Sequence, residues 1–83
     1  MSVDYDLTVD ARDLLCPLPV LKARKTLNGM QAGQVLCLWA TDPVAVIDIP
    51  HFCTQSGHEM IETFEQDGAT AYVIRRGAGM PEA

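Results

Sequence analysis

The spacing of apolar positions changes several times along the chain, and each change predicts an element. Tyr5, Leu7 and Val9 alternate with Asp6, Thr8 and Asp10, a period of two that predicts a half-buried strand near a sheet edge. Farther on, Val20, Ala23, Leu27 and Met30 recur three and four apart, which predicts a helix facing the core with that stripe and with Leu21 beside it. Asn28-Gly29 is its stop, glycine being suited to the left-handed position just past a helix. Residues 34–41 are apolar on both faces, as an interior strand is, with Cys37 and Trp39 expected to pack within it. Asp42-Pro43 is a helix-start signal, but Pro50 interrupts the helix it would begin. The pattern therefore predicts a turn over 42–47 and a helix from about Asp48 to Ser56. Pro50 falls in its first turn, Ile49, Phe52 and Cys53 point inward, and Gly57 ends it.

Residues 58–65 and 70–76 read as strands joined across Asp67-Gly68. A two-residue loop sets Ile61 opposite Ile74, Thr63 opposite Tyr72 and Glu59 opposite Arg76. Neither strand alternates cleanly, which leaves its core face open. Residues 77–83 read as a frayed tail. The order is βαβαββ. Right-handed crossovers in the same sense place both helices on one face, giving an α+β fold, a two-layer α/β sandwich. At 83 residues the chain makes a single domain, spanning 1–83.

Composition narrows the function. The net charge of −5 argues against direct binding of nucleic acid, which needs clustered Lys and Arg. No apolar run approaches the roughly 20 residues that span a bilayer. The acidic start lacks a signal pattern, so a soluble, cytoplasmic protein is expected. The odd number of cysteines, Cys16, Cys37 and Cys53, does not suggest a disulfide framework. Charge is unevenly placed. Between residues 11 and 30, Arg12, Lys22, Arg24 and Lys25 face only Asp13, a local excess of three positive charges.

That excess surrounds Leu14-Leu15-Cys16-Pro17-Leu18-Pro19. Prolines are tolerated in a first helical turn, whose N–H groups lack intrahelical partners. Pro17 is expected at the first helical position and Pro19 at the third, with Cys16 as the N-cap. There the helix dipole favours a thiolate and lowers the cysteine pKa. Both prolines stiffen the turn while removing two amide donors, which makes the Leu18 N–H a leading candidate to contact the sulfur. They are expected to serve presentation of the sulfur more than the fold. The structural alternative for Cys16 is a small buried hydrophobe. Lys22, Arg24 and Lys25 also suit a solvated helix face that offsets the dipole. No Ser-His-Asp set, phosphate-cradling glycine loop or Cys-x-x-Cys occurs. His51, Cys53 and His58 match no usual zinc spacing, so neither metal nor cofactor is expected.

A set of motifs spans residues 7–76. It comprises Asp10-Ala11-Arg12, Cys16-Pro17-Leu18-Pro19, Lys22-Ala23-Arg24-Lys25, Asp42-Pro43, Asp48-Ile49-Pro50, Phe52-Cys53, Gly57-His58-Glu59 and Ile74-Arg75-Arg76. Together they resemble the TusA/SirA-like sulfur carriers. The resemblance implies a mixed four-stranded sheet of order 1-2-4-3 with strand 4 antiparallel, which makes that strand interior and explains its missing alternation. It also implies that Cys16 carries sulfane sulfur as a persulfide, supported by Pro17, Leu18 and Pro19. The donor would be a cysteine desulfurase or rhodanese-like protein and the acceptor a further relay protein. Arg12, Lys22, Arg24 and Lys25 are the residues expected to dock an acidic partner. The expected role is a sulfurtransferase-type relay, not a free-standing turnover enzyme, in tRNA thiolation or dissimilatory sulfur oxidation. Two alternatives stay open: a thiol-dependent enzyme using Cys16 as nucleophile, and a regulatory or RNA-binding module.

Overall fold

Hydrogen bonding in the computed structural model, which describes residues 5–77, follows the expected order of elements. Strand β1 spans Leu7–Ala11, helix α1 Leu18–Asn28, β2 Val35–Ala40, helix α2 Ala45–Ser56, β3 Glu59–Gln66 and β4 Ala69–Arg75. The strands form one four-stranded sheet in the order β1-β2-β4-β3. β1 and β2 are parallel, while β4 runs antiparallel to both β2 and β3. The expected tail at residues 78–83 lies outside the described residues. Gly77 is held, its N–H donating to His58 Nδ1 at 2.9 Å.

The central strands β2 and β4 are apolar on both faces because both faces are covered. Leu36, Leu38, Ala40, Tyr72 and Ile74 point toward the helices and meet Ala23, Leu27, Ile49, Phe52 and Cys53 in the main core. Val35, Cys37, Ala71 and Val73 point to the other face, where Tyr5, Trp39, Ile61 and Phe64 pack over them. Trp39 is half-buried there, edge-on to Phe64 with ring centroids 5.4 Å apart. β1 is an edge strand, and its Val9 and Ala11 join the helix side. Tyr5 precedes that strand and turns to the opposite cluster, so it breaks the alternation read from the sequence.

Asp67 and Gly68 both have positive φ, 54° and 81°, as a two-residue hairpin whose twist matches its strands requires. Thr63 pairs with Tyr72 as the loop dictates, but a bulge between Met60 and Glu62 slips the register beyond it. Met60, not Ile61, therefore faces Ile74, and Glu59 faces Arg75, with which it forms a 2.6 Å ion pair.

The helices correct the sequence reading in four places. α1 starts at Leu18, with Pro17 as its cap and Pro19 as its second residue. Cys16 is therefore one residue outside the cap. Leu21 is exposed, since Pro19, Ala23 and Leu27 occupy the buried stripe. Gly29 closes α1 with φ −89°, in the right-handed region, so that end uses no left-handed residue. α2 begins at Ala45, well before Asp48, and Pro50 sits inside it. A proline within a helix removes one hydrogen bond and crowds the preceding turn. Burial of Ala45 and Ile49 before Pro50, at 1% and 0% exposure, and of Phe52 and Cys53 after it offsets that cost by packing both sides of its turn into the core. Gly57 ends α2 with φ 77°, and the His58 N–H closes onto the Cys53 carbonyl at 2.9 Å.

Candidate functional site

The loop from β1 to α1 presents Cys16 on the surface where the starts of the two helices meet. Asp42 and Asp48 hold it there. The Cys16 N–H donates to Asp42 Oδ2 at 2.9 Å. The second oxygen of Asp42 accepts the Val44 N–H at 3.3 Å, and its carbonyl accepts the Ala45 N–H at 3.0 Å. One buried carboxylate thus ties the cysteine backbone to the chain entering α2. The thiol itself donates to Asp48 Oδ2 at 3.1 Å. The Cys16–Pro17 peptide bond is cis.

These contacts reverse the expected electrostatics. The hydrogen bond to Asp48 raises the Cys16 pKa above its ordinary value, with desolvation and the charges of Asp48 and Asp42 adding to the effect. The anticipated lowering by the α1 dipole is opposed by these groups, and Cys16 lies outside the cap with its sulfur engaged by α2. The Leu18 N–H is not available to the sulfur either, since it donates to the Leu15 carbonyl at 2.8 Å. The local positive excess is likewise a feature of the sequence window. Chain folding brings Asp42 and Asp48 to the cysteine, and Arg12 is engaged by Asp10 through bonds of 2.9 and 3.0 Å. That pairing holds the Asp10 carboxyl down at about 2.

The other expected site residues are placed as follows. Pro17 and Leu18 are exposed beside Cys16, while the Pro19 side chain is fully buried, so Pro19 serves the core as well as the turn. The four cations do not form one patch. Lys22 and Lys25 border an open groove of about 330 Å³ floored by Leu14, Leu18 and Leu21. Arg24 lies on the other flank of α1, over the Phe52 ring at 5.5 Å, in a hollow shared with Pro17, Asp48 and His51. Arg12 borders a separate hollow with Trp39 and Asp67. Several large apolar side chains near the cysteine and its partners in sequence are exposed. Leu15 and Leu18 are 66% and 47% exposed on its own segment, and Val44 and Ile47, close in sequence to its two aspartates, are 43% and 69% exposed.

Cys37 and Cys53 are structural. Both are buried, and burial raises the pKa of each, that of Cys53 to about 12. Among the described residues, no group of three His, Cys, Asp or Glu side chains is placed to hold a metal ion. Nor is any helix there long and apolar enough to cross a membrane.

A family model described as sulfurtransferase TusA matches residues 7–76, nearly the whole of the described fold. The chain belongs to the TusA family. Its relatives include the sulfur carrier protein TusA of Allochromatium vinosum, 47% identical over 73 residues, which cover 88% of this chain and 96% of the relative. Putative sulfur carrier proteins from Neisseria meningitidis serogroups A and B are each 46% identical over 68 residues, covering 82% of this chain and 92% of theirs. Among solved structures, a SirA-like protein from Desulfitobacterium hafniense superposes with a TM-score of 0.75 at 27% identity. That match covers 86% of this chain and 97% of the other. A sulfur carrier, as these relatives are named, requires a protein that supplies the sulfur and one that takes it.

Asp42 and Asp48 are the site residues that the sequence reading missed. Both stand in the motifs that carry the family resemblance. Each was read only as a backbone signal for a helix start, because their distance from Cys16 along the chain hides their contact with it.

Proposed function

We propose that this TusA-family protein carries one sulfane sulfur as a persulfide on Cys16 and hands it from one partner protein to another. Exposure is the observation that carries the reading. Cys16 is open to solvent, whereas Cys37 and Cys53 are 0% and 1% exposed. A sulfur that must be reached by two other proteins in turn needs the open position.

The donor is a cysteine desulfurase or a rhodanese-like protein, and the acceptor a downstream relay protein serving tRNA thiolation or dissimilatory sulfur oxidation. The protein acts as a relay, with one sulfur gained and one lost per cycle. Three free cysteines fit a reducing cytoplasmic setting. Partners dock on the apolar rim of Leu15, Leu18, Val44 and Ile47. Lys22 and Lys25 on one flank and Arg24 on the other meet acidic residues of the partner. Such exposed charges act mainly on the association rate and are weakened by salt. Arg12, held by Asp10 in a separate hollow, contributes least.

The test is intact-mass spectrometry after incubation with a cysteine desulfurase and cysteine, or with a rhodanese and thiosulfate. The expected product is heavier by about 32 Da, one sulfur atom, in a form removed by reductant, mapped to Cys16 and absent from Cys16→Ser. Loading of Cys16→Ser, or failure of the wild type with both donor classes, overturns the carrier role and favours a thiol-dependent enzyme.

A further inference from the structure

Asp48 does not hold the Cys16 backbone; it is aimed at the reactive atom. Its Oδ2 lies 3.1 Å from Sγ, in position to accept the thiol proton. A carboxylate there opposes ionisation of the cysteine, the reverse of what activates a thiol nucleophile. It is also half-buried, on the first turns of a helix whose next residue, Ile49, is fixed in the core, so it is held in place. We propose that Asp48 is a positioning residue that keeps the empty carrier as a neutral thiol and ceases to hold the sulfur once Cys16 is loaded.

This proposal rests on the carrier reading and deepens it. On loading, the Cys16 sulfur attacks the outer sulfur of the donor's persulfide. A new S–S bond forms and the donor's S–S bond breaks, its electron pair leaving on the donor's inner sulfur. The Cys16 proton passes through Asp48 Oδ2 to that thiolate. A Cys16 thiol and a donor persulfide anion become a Cys16 persulfide anion and a donor thiol, so atoms, charge and electrons balance with no added oxidant. The loaded Sγ has no proton left to donate, and the same carboxylate now repels the persulfide anion, favouring its outward presentation. The empty carrier is protected from stray electrophiles, and the loaded one offers its sulfur. The other charged group acting on Cys16 is Asp42; Arg24 and His51 line the hollow that Asp48 also borders.

The experiment measures the rate of Cys16 alkylation by iodoacetamide in the full chain, by peptide mapping, from about pH 6 to about pH 10, the range in which thiols ionise. Asp48→Asn removes the charge and keeps the shape. Asp67→Asn, in the hairpin loop, controls for net charge. The expected result is a midpoint about one pH unit lower in Asp48→Asn, and labelling about tenfold faster at neutral pH, with Asp67→Asn unchanged. An unchanged or higher midpoint in Asp48→Asn overturns the proposal. Protection of Cys37 and Cys53 reports whether the variant is folded. If it is not, Asp48→Glu, which keeps the carboxylate, is read instead. It is expected to retain the wild-type midpoint, and a fall of about one unit there overturns the proposal. None of these measurements involves sulfur loading, so failure of the carrier role and failure of this proposal are read separately.

Discussion

Replacing Asp42 by Asn should cost this fold about 2 kcal/mol, through the number of acceptors rather than through shape. The native carboxylate receives two backbone donors, Cys16 N–H at 2.9 Å and Val44 N–H at 3.3 Å, one on each oxygen. Asparagine has the same outline but a single oxygen. Whichever donor that oxygen serves, the amide NH2 confronts the other N–H. Asp42 is only 8% exposed, so water cannot readily replace the lost acceptor. A hydrogen bond to a charged group contributes about 1.5–3 kcal/mol, and an unsatisfied buried donor costs about 1–3 kcal/mol. The bond at 3.3 Å is long and is the one sacrificed, so the lower part of those ranges applies. For a domain of this size about 2 kcal/mol corresponds to a fall in Tm of about 8–16 °C. Thermal and urea unfolding followed by circular dichroism measure it. Asp42→Ala, losing both acceptors, should fall further. A change in Asp42→Asn below about 0.5 kcal/mol, the level of an ordinary surface substitution, refutes the reasoning.

Three further outcomes follow from burial and backbone geometry. A limiting thiol reagent under native conditions should label Cys16 first and reach Cys37 and Cys53 only on unfolding, because the last two are 0% and 1% exposed; peptide mapping reads the order. Burial raises the Cys53 pKa from 9.0 to about 12, so above pH 9 the folded state retains a proton that the unfolded state loses. Stability should therefore fall as pH rises from 9.0 to about 12, and the urea midpoint of Cys53→Ala should fall less steeply over that window. Gly77→Ala should lower the unfolding free energy read from urea denaturation by at least about 1 kcal/mol, because an added Cβ would run into the Gly57 carbonyl; an unchanged midpoint shows that residue 77 is not docked.

The fold was legible in the sequence where a local pattern and its burial agreed. The double-sided apolar run Val35–Ala40 could be satisfied only by an interior strand, and β2 is one. The Asp67-Gly68 loop fixed the pairing of Thr63 with Tyr72 because both loop residues tolerate positive φ. Legibility failed where a tertiary contact outweighed a local preference. Pro50 is a poor interior helix residue, but Ala45 and Ile49 bury well only if the helix begins before it. The bulge at Ile61 leaves no signal of its own, since it is a mismatch between two strands and not a property of either. Gly77, read as the start of a tail, is kept by a backbone approach to Gly57 and by His58, neither of which a local pattern can express.

At the site, the same division separates what the local sequence says of the cysteine from what its charge environment adds. Two prolines after one cysteine are a local statement, and they do place Cys16 at the entrance to α1, open to solvent. The ionisation of a thiol is set by whatever charge stands within a few ångströms of it, whichever part of the chain supplies that charge. The charge excess over residues 11–30 therefore does not describe the field at the thiol. Arg12 turns to Asp10, Lys22 and Lys25 border a separate groove, and the groups that contact Cys16 come from the far side of β2. A helix start is positive only in so far as it presents free amide donors. Here two of the first donors are absent as prolines and a third, on Leu18, is spent on Leu15. With few free amide donors there, the carboxylates of Asp42 and Asp48 are the charges that act on Cys16, and both raise its pKa.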